Sequence, residues 1–241
     1  MELFRIYNSI DSTNKEASRL LASQVPLHET VILARHQTDG KGQYGRKWES
    51  QPDAHLAMSL ILQPSSMKAS DLPLLSMQIS LAIVKVLKSL DQAILPLIKW
   101  PNDIYANQKK LAGILIENVL SATRVQHCII GIGMNVNEKE FSAEAPNAIS
   151  LFQITGKTFD VMDIAKLIRQ FAMEMLHTPF ELWKKEYDQY VFGSGTLHAF
   201  ERNGEIINAV MSGISEEGKL KLVNNQGKTE TYYTHEIKWL I

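Results

Sequence analysis

The chain has 241 residues, 45% of them hydrophobic and 21% charged, with a net charge of -1. That length fits one large domain, or one large and one small, and is enough to bury a substantial core. The near-neutral balance supplies no global field to draw the protein onto nucleic acid or an anionic membrane, so neither DNA nor a membrane is expected as a partner. A single cysteine, Cys128, excludes an internal disulfide and points to a reducing compartment.

The first fifteen residues hold no apolar core of signal-peptide length. No stretch approaches the roughly 18 apolar residues of a membrane span, so the expected location is the cytoplasm. The seven histidines are scattered, without zinc spacing.

In chain order, residues 3–7 read as a short strand. Thr13-Asn14-Lys15-Glu16 has capping-box spacing, with Thr13 as the cap of a helix that runs through Leu20 and Leu21 and ends at Pro26. Residues 30–36 are β-branched and apolar, as in a buried strand. Residues 38–48 are glycine-rich, polar and too irregular for either regular structure. Residues 55–62 alternate, with Leu56, Met58, Leu60 and Leu62 on one face, which predicts a half-buried strand. Residues 70–90 are apolar on nearly all sides, which predicts a helix packed inside the domain.

Residues 94–100 and 103–106 look like strands interrupted at Pro101-Asn102, and the turn Asn107-Gln108 leads to a strand over 111–117. Residues 125–132 form another strand, in which Cys128 is a buried small side chain. Residues 160–190 read as two helices broken at Thr178-Pro179. After Gly193-Ser194-Gly195 the character changes. Short alternating segments are separated by Asn203-Gly204, Glu217-Gly218 and Gln226-Gly227, which suggests a small antiparallel barrel or sandwich. The expected division is therefore a mixed α/β domain over 1–192 and an all-β domain over 193–241.

Four segments are suited to chemistry. In Gly40-Lys41-Gly42-Gln43-Tyr44-Gly45-Arg46-Lys47-Trp48, three glycines let backbone amides approach an anion. Lys41, Arg46 and Lys47 add charge, and Trp48 adds a flat apolar surface. Such a loop is costly to order and suits closure over a ligand, although a surface loop with turn glycines has the same composition. It is not a phosphate-binding Walker loop: the only Gly-Lys-Thr, at Gly156-Lys157-Thr158, has Leu151 where the first glycine is required.

In Lys99-Trp100-Pro101-Asn102-Asp103, proline stops a strand, so Asn102 and Asp103 can turn toward a cleft and meet Mg²⁺ or its nucleotide; an Asn-Asp turn is the plainer alternative. Lys109-Lys110-Leu111-Ala112-Gly113-Ile114-Leu115-Ile116-Glu117 puts a lysine just before a buried strand, from which it can project into a site, or else marks a lysine-rich hairpin turn. Gly131-Ile132-Gly133-Met134-Asn135-Val136-Asn137 ends a buried strand in glycines and asparagines. It does not continue as a dinucleotide fingerprint, because Val136 occupies the last glycine position.

Together and in this order, with Ser12-Thr13-Asn14 before them, these segments resemble the motifs of the biotin protein ligase family. The resemblance covers nearly the whole chain. It implies an α/β (α+β) fold: a catalytic domain like that of class II aminoacyl-tRNA synthetases, with a mixed sheet flanked by helices, and a small C-terminal SH3-like β-barrel. It implies activation of biotin by Mg-ATP to biotinyl-5'-AMP, and transfer to a lysine of the biotin carboxyl carrier domain of an acyl-CoA carboxylase.

Residue by residue, the resemblance places Ser12, Thr13, Asn14 and Gln37 at the biotin end. Gly40, Lys41, Gly42 and Gln43 surround the biotin carboxylate and the phosphate. Arg46, Trp48, Asn102, Asp103 and Asn135 approach the nucleotide, and Asp103 is the candidate for Mg²⁺. Lys110 contacts both carboxylate and phosphate, so Lys110 and Lys41 are the catalytic candidates, and Gly113 and Gly131 line the biotin slot. Lys41 and Gln43 depart from the family pattern, which commonly has arginine at both places. Arginine grips phosphate through a bidentate fork that neither residue reproduces.

The chemistry fits the residue types, because a carboxylate attacking a phosphate brings two anions together and needs cations where charge builds. Lipoate ligase has a similar catalytic fold and is the alternative. Some biotin ligases also repress transcription through an N-terminal winged helix; here Ser12 comes so early that none is expected. Dimerisation through an edge of the catalytic sheet is common in the family.

Overall fold

The computed structural model describes residues 3–23, 27–48, 51–64 and 66–240. Pro26, the expected end of the first helix, lies outside them.

The chain opens with strand β1 (Phe4–Tyr7), helix α1 (Thr13–Ala22) and strand β2 (Val31–Ala34), and β1 and β2 pair in parallel. β3 (His55–Leu62) returns antiparallel to β2. The expected alternation is only half right there. Leu56, Met58, Leu60 and Leu62 do share a face, but all eight residues of β3 are buried. Between them stand Ala57, Ser59 and Ile61, small or apolar enough to lie beneath a second layer, and α1 packs there. A strand covered on both faces need not alternate.

Helix α2 (Leu72–Leu90) has Pro73 in its first turn, where the missing N–H costs nothing. Ten of its side chains are buried, each large aliphatic one contributing roughly 1.5–3 kcal/mol. Contrary to the sequence reading, the segment Ala69–Leu90 is long and apolar enough to cross a membrane by length and composition. In this fold it packs against the sheet and against a later helix.

Strands β4 (Leu97–Lys99) and β5 (Asp103–Ala106) form a tight antiparallel pair around Pro101-Asn102. The long hairpin β6 (Lys109–Ser121) and β7 (Arg124–Asn135) then fills the sheet centre, with the order β1-β2-β3-β7-β6-β5-β4. Both hairpin strands run longer than expected from sequence: β6 continues past Glu117 into exposed residues such as Val119 and Leu120, and β7 continues through Gly133 to the buried Met134 and Asn135.

A short helix missed by the sequence reading, α3 (Leu151–Thr155), follows; a capping box between Ser150 and Gln153 opens it and the left-handed Gly156 ends it. α4 (Val161–His177) starts at Asp160, whose carboxylate accepts from the amides of Met162 and Asp163. α5 (Phe180–Asp188) follows the break at Thr178-Pro179.

The last segment forms a second, five-stranded antiparallel sheet from β8 (Leu197–Arg202), β9 (Glu205–Ile214), β10 (Leu220–Val223), β11 (Thr229–Tyr232) and β12 (Lys238–Leu240), in the order β11-β10-β9-β8-β12. Asn203 and Gly204 both have positive φ, the tight hairpin turn that an Asn-Gly pair favours. One buried cluster runs through both sheets, joining Ile98 and Trp100 to Phe200, Met211 and Leu220. Trp100 Nε1 donates to the Gly218 carbonyl at 2.9 Å, so the second sheet grips the β4–β5 turn directly.

Candidate active site

A cleft opens over the middle of the large sheet, floored by β3, β7 and β6. In the strand ladders Gly131 lies between Ser59 on β3 and Leu115 on β6, and Gly133 lies opposite Gly113. Glycine is required at two of these positions because other side chains come down onto the backbone. A Cβ on Gly131 would sit 2.5 Å from Asn14 Oδ1, and one on Gly133 would sit 2.4 Å from Trp48 Cε2.

At one end stands the first turn of α1. Ser12, not Thr13, is the cap residue, and its side chain makes no capping bond. Thr13 is instead tied to Gln37, whose Oε1 accepts from the Thr13 amide at 2.8 Å and from its hydroxyl at 3.2 Å. Asn14 is fixed from two sides: its Oδ1 accepts from Ser59 Oγ at 2.6 Å, and its Nδ2 donates to Glu117 Oε2 at 2.7 Å. Ser12, Thr13, Asn14 and Gln37 all line the cleft. Asn14 spends its amide on the protein, so it holds α1 against the strands. Sequence reasoning gave no role to Ser59 or to Glu117, the last residue of the Lys109–Glu117 segment, although Ser59 interrupts an apolar strand with a hydroxyl.

The glycine-rich segment is a compact hairpin rather than an irregular loop. Lys41 and Lys47 pair across it, Gly42 N donates to Arg46 O at 2.7 Å, and Trp48 N donates to Gly40 O at 2.9 Å. Its tip, Gln43–Gly45, turns through Tyr44 in the left-handed region. Lys41, Gly42, Gln43 and Trp48 face the cleft. The Trp48 indole lies on Gly133 and touches Gly113, and its Nε1 is buried without a hydrogen-bond partner. Gly40 is buried under the Trp48 carbonyl. Arg46 is exposed and bears on Lys99 and Tyr105 rather than lining the cleft.

The far end carries the charges. Lys110 Nζ pairs with Asp103 Oδ1 at 2.6 Å and stands 5.6 Å above the Trp48 ring. Asn102 lines the cleft while bonding β6 through Nδ2 to Ile114 O at 2.8 Å. Lys99, which sequence reasoning left without a role, donates to Tyr105 Oη at 3.3 Å. Burial lowers the Lys99 pKa first, Lys110 and Arg46 push the same way, and Asp103 opposes them. Burial likewise pushes Tyr105 up to about 12.

Asn135 is 5% exposed and is not among the residues that line the cleft; its Nδ2 donates to Lys110 O at 3.3 Å and to Ile149 O at 3.1 Å. Met58, Ile114, Leu115, Ile132 and Gly133 complete the lining and were missed as site residues. Period-two counting from Gly131 along β7 identifies Gly133.

Hydroxyls and amides at one end, an indole in the middle and lysines facing a carboxylate at the other make this cleft suited to an acid-activating ligase. The profile described as Biotin/lipoate A/B protein ligase family matches residues 6–135, and the chain belongs to that family. It is 35% identical to the bifunctional ligase/repressor BirA of Bacillus subtilis, over 94% of this chain and 71% of that protein. It is 31% identical to the biotin–[acetyl-CoA-carboxylase] ligase of Paracoccus denitrificans, over 90% of this chain and 93% of that one. Among solved structures, the biotin protein ligase of Aquifex aeolicus in complex with biotin and ATP superposes with a TM-score of 0.85 at 27% identity, covering 100% of this chain and 99% of that one.

Proposed function

We propose that this chain is a biotin protein ligase that adenylates biotin with Mg-ATP and passes the biotinyl group to a lysine of a biotin carboxyl carrier domain of an acyl-CoA carboxylase. The single observation that carries this reading is the shared cleft: Ser12, Thr13 and Gln37 line the same cleft as Lys41, Trp48 and Lys110. The buried, unpartnered Trp48 Nε1 supports it as well, since an unsatisfied donor in a folded protein calls for a polar ligand atom.

The biotin ureido group is assigned to the hydroxyls of Ser12 and Thr13, its rings to the slot along Gly131 and Gly113, and its carboxylate to Lys110 and Lys41. Nucleotide contacts are assigned to Arg46, Gln43, Trp48 and Asn102. The carboxylate oxygen forms a bond to the α-phosphorus and pyrophosphate leaves with its bond electrons. Lys110 and the amides of the 40–48 hairpin offset the charge that builds there. Lys110 must turn from Asp103 to do this, which frees Asp103. Among the described residues no group of three His, Cys, Asp or Glu side chains could hold a metal, so Mg²⁺ fits as an ion brought by the nucleotide, with Asp103 the carboxylate placed to meet it. In the second step the acceptor's neutral ε-amine attacks the mixed anhydride carbonyl, AMP leaves, and the amine gives up a proton.

We read residues 1–192 as the catalytic domain, like that of class II aminoacyl-tRNA synthetases, and residues 193–241 as an SH3-like barrel. The start of the five-stranded sheet just after Gly193-Ser194-Gly195 supports that division. The test is incubation with Mg-ATP, a carrier domain and either biotin or lipoate. Gain of one biotinyl group by mass, with no lipoyl group, is the expected result; lipoylation alone refutes the assignment.

A further inference from the structure

Beyond Lys110 the sheet carries a second lysine that the chemistry above leaves unused. The β4–β5 ladder sets Lys99 opposite Asp103, and the β5–β6 ladder sets Tyr105 opposite Lys110. Ile98 and Ile104, one position away on each strand, are fully buried in the core. Lys99, Asp103 and Tyr105 therefore share the other face, the one on which Asp103 meets Lys110. The Lys99 ammonium donates to Tyr105 Oη at 3.3 Å and stands 5.0 Å from the centre of that ring. The ring is braced in turn: Phe192 lies 5.3 Å from it, and Trp239 of β12 lies 5.8 Å from Phe192. Such backing gives the lysine a rigid mount.

Charge indicates what Lys99 is for. Asp103 is the carboxylate whose charge bears on it, while Lys110 and Arg46 repel it. Asp103 is already paired with Lys110 at 2.6 Å, so three cations gather about one engaged carboxylate. Lys99 is half-buried, and its hydrogen-bond partner is a neutral hydroxyl. An apolar side chain packed on Tyr105 would cost less there than a charge taken from water. The cluster lacks negative charge, and a polyanion would supply it.

Building on the reading of this cleft as the site of biotin adenylation, with Lys110 and Lys41 taken up by the reacting groups, we propose that Lys99 binds the β- and γ-phosphates of ATP together with Arg46 and receives the departing pyrophosphate. Tyr105 is a positioning residue that holds the ammonium in place. When the bond from the α-phosphorus to the bridging oxygen breaks, its electron pair stays on that oxygen, and pyrophosphate gains negative charge as it leaves. A cation fixed beyond Lys110 lowers the cost of that charge. Lys99 has no part in the second step, because pyrophosphate has gone before the acceptor amine attacks.

The test separates the two half-reactions on the full chain. Lys99→Met keeps the apolar stem and removes the charge; Tyr105→Phe keeps the ring and removes the hydroxyl. Lys99→Met should raise both KM for Mg-ATP and the inhibition constant of added pyrophosphate by about tenfold or more, with KM for biotin unchanged. Tyr105→Phe should move the same two constants by about threefold. Supplied with synthetic biotinyl-5'-AMP in place of biotin and ATP, both variants should biotinylate the carrier domain within about twofold of the parental rate. Melting temperatures check the fold, and if Lys99→Met does not fold, Lys99→Gln carries the same measurements. Unchanged pyrophosphate inhibition overturns the proposal. An equal loss of transfer from supplied biotinyl-5'-AMP overturns it as well, since Lys99 would then act in the acceptor step or in the fold. A parent that does not biotinylate the carrier from biotin and Mg-ATP refutes the ligase reading itself, a different result from failure of the Lys99 assignment alone.

Discussion

Gly131→Ala tests how the cleft floor is built. The added Cβ would lie 2.5 Å from Asn14 Oδ1 and 3.0 Å from both Cγ and Nδ2, about an ångström inside ordinary contact at the closest atom. Asn14 has little freedom to yield, since Ser59 and Glu117 hold the two ends of its amide. Moving it sacrifices a buried hydrogen bond to Ser59, worth about 1 kcal/mol, and weakens one to the solvent-facing Glu117, worth less. With the strain of overpacking, the total is about 2 kcal/mol. For a chain of this size that lowers the melting temperature by about 4–8 °C. Because Asn14 lies in the first turn of α1, Ser12 and Thr13 shift with it, and KM for biotin should rise about tenfold while KM for ATP stays put. The control is Gly113→Ala, whose Cβ would meet the far end of the Lys110 side chain and the Trp48 ring at 3.2 Å. That variant should slow adenylation with little change in melting. Differential scanning fluorimetry and initial-rate kinetics provide both readouts. A Gly131→Ala protein that melts within a degree of the parent, with unchanged biotin KM, would show that Asn14 is not fixed as described.

Lys110→Ala should fold normally and lower pyrophosphate release from biotin and ATP by about 100-fold or more, measured in a coupled assay; an unchanged rate refutes the role assigned to it. Gln43→Arg should slow release of biotinyl-adenylate by several-fold, because guanidinium holds phosphate through a two-pronged bond that the amide cannot make; filtration of the trapped intermediate reads this directly. Cys128 is fully buried and its thiol is pushed up to about 11 by that burial. A maleimide should therefore label it only as fast as the chain opens, and labelling at a free-thiol rate at pH 8 would contradict the packing of β7.

Much of this arrangement is legible in the sequence because it is local. The Asn203-Gly204 hairpin and the Thr178-Pro179 break are dictated by residues within a few positions of one another. Long-range features are not. His55 is unremarkable until Glu138 arrives beside it, and the bonds from Asn135 Nδ2 to Lys110 O and Ile149 O join segments far apart in sequence. The capping-box spacing puts the α1 cap one residue late, because Ser12 and Thr13 are both cap residues and Gln37, distant in sequence, claims Thr13. The alternation of β3 misled for a related reason. Burial of its second face depends on α1, which no window over 55–62 contains.

The core that passes from Trp100 into Phe200 and Leu220 has a bearing on how this protein comes apart. The turn that presents Asn102 and Asp103 has its indole bonded to Gly218 and packed into the shared core, so the C-terminal sheet backs that turn from behind the cleft. A polypeptide released before those residues are made would leave Trp100 in water and the Asn102-Asp103 turn without its backing. Catalytic competence should thus arrive only with the completed C-terminus, and a protease that trims it should silence the enzyme while every residue that touches substrate is still present.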